Sequence, residues 1–130
     1  MENYHKPIKA KTSGTGGKRR KAKDKQLAHW GSPFTATKVS AKGREVRKVV
    51  KIRGKGRKVK LKEAAFVNML TKEGKMAKVK ITNVLETPAN RHFARGNLLV
   101  KGAVVQTEGH GKAVVTNRVG QDGVVNGRQI

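Results

Sequence analysis

Cysteine is missing from the 130 residues, which excludes a disulfide framework, a thiolate metal site and a cysteine nucleophile. Aromatic residues are nearly as scarce: Tyr4, Trp30, Phe34, Phe66 and Phe93 are the full set. A platform that stacks single-stranded bases sets aromatics on adjacent strands, and these five are too dispersed to build one. No apolar stretch approaches the roughly 18 residues a membrane-spanning helix needs. Met1-Glu2-Asn3-Tyr4-His5-Lys6-Pro7 has no apolar run behind its charges, so a signal peptide is not expected. Negative charge is the remaining shortage, with 8 Asp+Glu against 31 Lys+Arg and a formal net charge of +23. So positive a surface calls for a polyanion, and nucleic acid and anionic membranes are the usual ones. A membrane-surface protein sets an apolar helical face beside a basic one. The N-terminal stretch offers only Leu27 and Trp30 for that, so no membrane partner is expected.

The cations are unevenly spread. Residues 1–38 hold 10 basic and 2 acidic side chains, residues 39–62 hold 11 and 1, and residues 63–130 hold 10 and 5. Between Lys9 and Lys25 no aliphatic side chain exceeds alanine, and Thr12-Ser13-Gly14-Thr15-Gly16-Gly17 runs into Lys18-Arg19-Arg20-Lys21. Such a segment cannot bury enough apolar surface to offset chain entropy. Residues 1–38 are therefore read as a basic arm, disordered unless bound to RNA, and residues 39–130 as the folded domain.

From Val46 onward the pattern has period two and is broken by glycine. Val50-Lys51-Ile52-Arg53 and Lys58-Val59-Lys60-Leu61-Lys62 flank Gly54-Lys55-Gly56, which predicts a β-hairpin with one face in a core and the other carrying charge. Ala77 to Thr82, Leu98 to Thr107, Lys112 to Asn117 and Val124-Val125 predict further strands. Glu63 to Leu70 is ambiguous. Its Ala, Glu, Met and Leu favour helix, but its short length between strand-like runs favours a strand paired across Thr71-Lys72-Glu73-Gly74. The pattern predicts an all-β fold, a small antiparallel β-barrel of about six short strands.

No recognisable enzyme site is present. The sequence before Gly17-Lys18 lacks the glycine spacing of a phosphate-binding loop, and no Gly-x-Ser-x-Gly elbow occurs. His5, His29, His92 and His110 show neither metal-ligand spacing nor a partnering carboxylate. The reading is a non-enzyme with no metal and no cofactor, no small-molecule substrate and no homo-oligomer. What remains is phosphate binding. Lys51, Arg53, Lys58, Lys60 and Lys62 are expected to project from one surface, spaced about 6–7 Å along each strand, near the phosphate spacing of a nucleic-acid strand. Like charges placed opposite one another destabilise a hairpin, so this pattern asks for a polyanion. The candidate RNA-binding residues are Lys9, Lys11, Lys18, Arg19, Arg20, Lys21 and Lys23 in the arm, and Arg47, Lys48, Lys51, Arg53, Lys55, Arg57, Lys58, Lys60 and Lys62 in and around the hairpin. Arg91, His92, Arg95 and Lys101 complete the set, in and after the link Glu86 to Asn97. An architectural or chromatin-type DNA-binding protein would use the same charge pattern.

Three segments carry a family resemblance. Pro88-Ala89-Asn90-Arg91-His92-Phe93, followed by Asn97-Leu98-Leu99-Val100-Lys101-Gly102-Ala103 and by Gly120-Gln121-Asp122-Gly123-Val124-Val125-Asn126, closely resembles the e-type small-subunit ribosomal protein eight family of archaea and eukaryotes. The hairpin from Val46 to Leu61 and the arm from Lys11 to Lys23 look like that family too. The short chain, without the long insertion of eukaryotic members, is similar to the archaeal form. The resemblance implies a β-barrel-like domain, an arm threaded into small-subunit ribosomal RNA, and neighbouring small-subunit ribosomal proteins as partners. It further implies a cytoplasmic location in the ribosome and no catalysis.

Overall fold

A computed structural model describes residues 4, 5, 14, 17, 25, 27–52 and 54–130. The chain divides into two compact units, Met1–Phe34 and Thr35–Ile130. In the first, Tyr4 and Trp30 form an antiparallel bridge and the His5 N–H donates to the His29 carbonyl at 2.9 Å. The Tyr4 and Trp30 rings meet edge-on at 5.4 Å, and a single 3₁₀ turn, Leu27–His29, leads into that contact. The basic run expected to be disordered, and its candidates Lys9, Lys11, Lys18, Arg19, Arg20, Lys21 and Lys23, lie outside the described residues.

The second unit contains eight strands: β1 (Lys38–Val39), β2 (Val46–Lys51), β3 (Arg57–Ala64), β4 (Phe66–Leu70), β5 (Met76–Glu86), β6 (Val104–Thr107), β7 (Gly111–Val115) and β8 (Asn126–Gln129). Two short helices accompany them, α1 (Arg91–Arg95) and α2 (Val119–Asp122). Strands β4-β5-β6-β7-β8 close into a barrel, and β1-β3-β2 form a separate three-stranded sheet. The all-β barrel expected from period two is present. Glu63 to Leu70 is extended, with β4 paired antiparallel to β5 across the Thr71–Gly74 turn.

Alternation builds the core. Val67 and Met69 of β4, Val105 of β6, and Ala113 and Val115 of β7 point inward and are all but fully buried. In β5 the buried positions run Val79, Ile81, then Val84. That break in parity falls where the β5–β6 register shifts between Ile81 and Asn83; a bulge there re-aims the side chains. Leu61, Leu99, Val119 and Val125 join the same cluster.

One seam departs from the antiparallel expectation: β4 and β8 are parallel, with Asn68 opposite Asn126 and Leu70 opposite Arg128. Gly127 fits this closure. A Cβ there would stand 3.1 Å from both the Val114 carbonyl oxygen and Val67 Cγ2, so those neighbours would have to give by a few tenths of an ångström. The strand expected at Val124-Val125 starts two residues later, at Asn126. Before it, Gly120 to Gly123 is not a simple turn but the end of α2, closed by Gly123 in the left-handed conformation (φ 73°). The run Leu98 to Thr107 is likewise strand only from Val104, because Gly102, at φ 84°, turns the chain beforehand.

The hairpin is β2 and β3, and only Ala65 separates β3 from β4. Its apolar residues correct the expectation of a core-facing side. Val46, Val49, Ile52 and Val59 are 40–59% exposed, whereas Leu61, nearer the barrel, is completely buried. Core contact is confined to the base of the hairpin, where the Thr37 hydroxyl donates to the Leu61 carbonyl at 2.7 Å; the outer part has no core against which to pack.

Candidate nucleic-acid interface

Pairing in the hairpin fixes which cations share a face. Lys48 lies opposite Lys60, Val50 opposite Lys58, and Lys51 opposite Arg57. Directly opposed residues of an antiparallel pair project to the same side, so Lys48, Lys58 and Lys60 occupy one face while Arg47, Lys51 and Arg57 occupy the other. Lys51 therefore does not share a surface with Lys58 and Lys60, as the sequence reading had placed it. Arg53 lies outside the described residues. Lys62 is skipped where the register slips between Val46 and Arg47, and its ammonium donates to the Thr35 carbonyl at 3.3 Å.

Two opposed pairs, Lys48 with Lys60 and Lys51 with Arg57, thus hold like charges about 4.5–5.5 Å apart at Cβ. Among the described residues none of these four makes an ion pair or a side-chain hydrogen bond; the three ion pairs found are Arg47–Glu45, Lys75–Glu73 and Lys80–Glu108. Arg47 is further occupied at the hairpin base, its Nε donating to the Gly123 carbonyl at 3.2 Å. At the tip Gly54 has φ 85° and Lys55 φ 66°, and the Ile52 N–H donates to the Gly56 carbonyl at 2.9 Å. That left-handed backbone suits glycine and costs a residue with a Cβ roughly 1–2 kcal/mol. Lys55 occupies it nonetheless, fully outside any packing.

A second cationic group stands on α1, in a segment the sequence reading treated as a link. Asn90 caps this helix, its Oδ1 accepting from the His92 N–H at 2.9 Å. Ala94 turns inward against the core, which leaves Arg91, His92 and Arg95 together on the exposed side. Beyond α1, Asn97 adopts φ 49° and accepts from the Val84 N–H through Oδ1 at 3.2 Å, tying the helix to β5. Leu98 bridges to Lys38, and β1 pairs with β3, so one continuous backbone network joins α1 to the hairpin sheet. Lys101 is exposed in the turn before β6. Lys42 and Arg44, exposed in the turn before β2, extend the basic surface at the hairpin base. The charge density of residues 39–62 pointed to them, although the alternation did not include them.

The carboxylates do other work. Glu63 accepts from the Ser40 hydroxyl, Asp122 accepts from Asn117 Nδ2 and the Arg118 N–H, and Glu45, Glu73 and Glu108 take the ion pairs above. Among the described residues no group of three or more His, Asp or Glu could hold a metal, and no helix is long and apolar enough to cross a membrane.

Fold and surface together define a small, strongly cationic β-barrel protein that extends a basic hairpin with uncompensated charge. Comparison with known proteins makes the class specific. The family model described as Ribosomal protein S8e matches residues 7–130. Proteins named small ribosomal subunit protein eS8 are similar over most of their length. That of Staphylothermus marinus is 44% identical over 114 residues, covering 87% of both chains. That of Hyperthermus butylicus is 46% identical over 114 residues, 86% of this chain and 82% of its own. That of Methanococcus maripaludis is 44% identical over 113 residues, 86% of each. The chain belongs to the ribosomal protein S8e family, in its archaeal form.

Proposed function

We propose that this protein is a structural constituent of the small ribosomal subunit in the cytoplasm, binding ribosomal RNA through phosphate contacts and performing no catalysis. One observation carries the reading: Lys48 faces Lys60 and Lys51 faces Arg57 across the hairpin, with no counter-charge among the described residues. An isolated fold gains nothing from opposed like charges. Against phosphates the same pairs, one on each face of the hairpin, become favourable contacts, each releasing a counter-ion. The names of the relatives support the ribosomal setting. In this reading Lys9 to Lys23 of the arm neutralise closely packed phosphates, the hairpin docks on an RNA helix, and Arg91, His92, Arg95 and Lys101 hold a further RNA segment. Neighbouring small-subunit proteins are the other partners.

Sedimentation of the tagged protein from a native extract, before and after a high-salt wash, tests this. Travel with the small subunit that survives a moderate wash is the expected result. Protein that stays at the top of the gradient, or scatters over all nucleic acid and washes off, would sink the reading. Competition at equal phosphate separates the DNA alternative: a preference for duplex DNA over ribosomal RNA would displace the ribosomal role.

A further inference from the structure

The outer wall of the barrel carries a second polar surface, whose lining includes none of the candidate RNA-binding residues named above. Strands β5, β4 and β8 lie side by side, and their pairing sets two rows of side chains across them. Lys78, Asn68 and Asn126 form one row; Met76, Leu70 and Arg128 form the next. These six residues line most of a hollow of about 570 Å³, within the range of roughly 300–1,000 Å³ typical of sites for small organic groups. No carboxylate lines it. Met76 is 66% exposed and Leu70 38%, so the apolar half of the floor is open to solvent. The amide half is ordered: Asn68 Nδ2 donates to Asn126 Oδ1 at 3.3 Å. That bond leaves Asn68 Oδ1 as an acceptor and Asn126 Nδ2 as a donor, neither with a partner among the described residues. On the far side of Lys78, the Phe66 ring lies 4.8 Å from its ammonium. The adjoining carboxylates are engaged outside the hollow, Glu108 with Lys80 at 2.9 Å and Glu73 with Lys75 at 3.6 Å.

We propose that this hollow is a docking site for a single unpaired nucleotide of ribosomal RNA. The Watson–Crick edge of every nucleobase presents at least one donor and one acceptor, and the amide pair offers one of each side by side. Sequence-selective RNA recognition commonly takes unstacked bases whose edges are open. Leu70 and Met76 cover the sugar or the base face. Lys78 and Arg128 stand on the two strands flanking β4 and in successive rows, about 12 Å apart, from two strand spacings near 4.8 Å across and one two-residue step of about 6.7 Å along. Their long side chains reach the phosphates on either side of one splayed-out nucleotide. An acidic peptide would leave the unspent amide groups without a matching edge, and a neutral protein surface would leave two cations uncompensated. The site deepens the RNA-binding reading and rests on it.

The absence of cysteine makes a clean test possible. A hydroxyl-radical-generating iron chelate is attached to the full chain at Lys75→Cys, on the rim of the hollow, or at Lys55→Cys, on the hairpin tip, and each is assembled into the small subunit. The expected result is cleavage of ribosomal RNA from both, with the Lys75 cuts centred on an unpaired nucleotide. The double variant Asn68→Ala/Asn126→Ala should weaken RNA binding by about tenfold, the scale of one lost base-edge contact, at unchanged salt slope. Lys78→Gln/Arg128→Gln, which removes two exposed charges and the Lys78–Phe66 contact, should lower the slope of log affinity against log salt by about 1.4–1.8. Cleavage from position 55 alone, or cleavage of neighbouring polypeptide from position 75, overturns this site while the proposed function stands. No RNA cleavage from either position overturns both.

Discussion

Lys55 shows how a single backbone angle separates stability from function. Its φ of 66° belongs to glycine, and its side chain is exposed. Replacing it by glycine removes a strain of roughly 1–2 kcal/mol, offset by about 0.5–1 kcal/mol of additional chain entropy in the unfolded state. The net gain is about 0.5–1 kcal/mol, a rise of a few degrees in Tm. If Lys55 meets a phosphate, Lys55→Gly should melt higher by calorimetry while binding ribosomal RNA more weakly, with a salt slope shallower by about 0.7–0.9. A variant that gains stability and loses no affinity would remove Lys55 from the interface. The turn itself was legible in Gly54-Lys55-Gly56. The faces of its flanking residues were not, because the side on which Lys51 falls depends on whether the loop holds an odd or even number of residues. The observed pairing of Lys51 with Arg57 puts odd-numbered positions together, and a change of one residue in the turn would reverse that.

Among the elements, the hairpin was the easiest to foresee and the most misjudged in its packing. Alternation of valine with lysine ordinarily means one face buried, yet only Leu61 and the residues near it reach the core. The outer strands extend past the barrel wall, and no sequence pattern records where a wall ends. Helix α1 was missed for a different reason: five residues are too few to show a helical period, although Asn90 before it and Gly96 after it bracket it as cap and stop. Charge is the hairpin's adjustable property. Lys48→Glu would turn the opposed pair with Lys60 from repulsive to attractive, a gain of about 0.2–1 kcal/mol. Hydrogen exchange at the β2 and β3 amides should slow accordingly, while RNA affinity falls and becomes less dependent on salt. Unchanged affinity would move the RNA away from this face.

For the molecule as a whole, the division between Phe34 and Thr35 predicts independent behaviour of the two parts. Every residue of the buried cluster lies in Thr35–Ile130, so a chain beginning at Thr35 should keep its β circular dichroism and its melting temperature. It also loses nine of the 31 Lys+Arg residues. If half of those contact phosphates, the salt slope should fall by about three to four. A large drop in melting temperature would show instead that the first unit supports the barrel. The all-β class and the basic character were readable from composition and alternation. The parallel closure of β4 on β8 was not, because it joins residues 58 positions apart.

That closure also orders events during synthesis. The pairings of β2 with β3, β4 with β5 and β6 with β7 join neighbours in the chain, whereas the ring is completed only when β8, the last strand to be made, reaches β4. Until then the free edges of β4 and β7 are open templates for wrong pairing. The cations of residues 1–62 are translated well before that strand, so if the chain binds RNA as proposed, that contact can form while the barrel is still open.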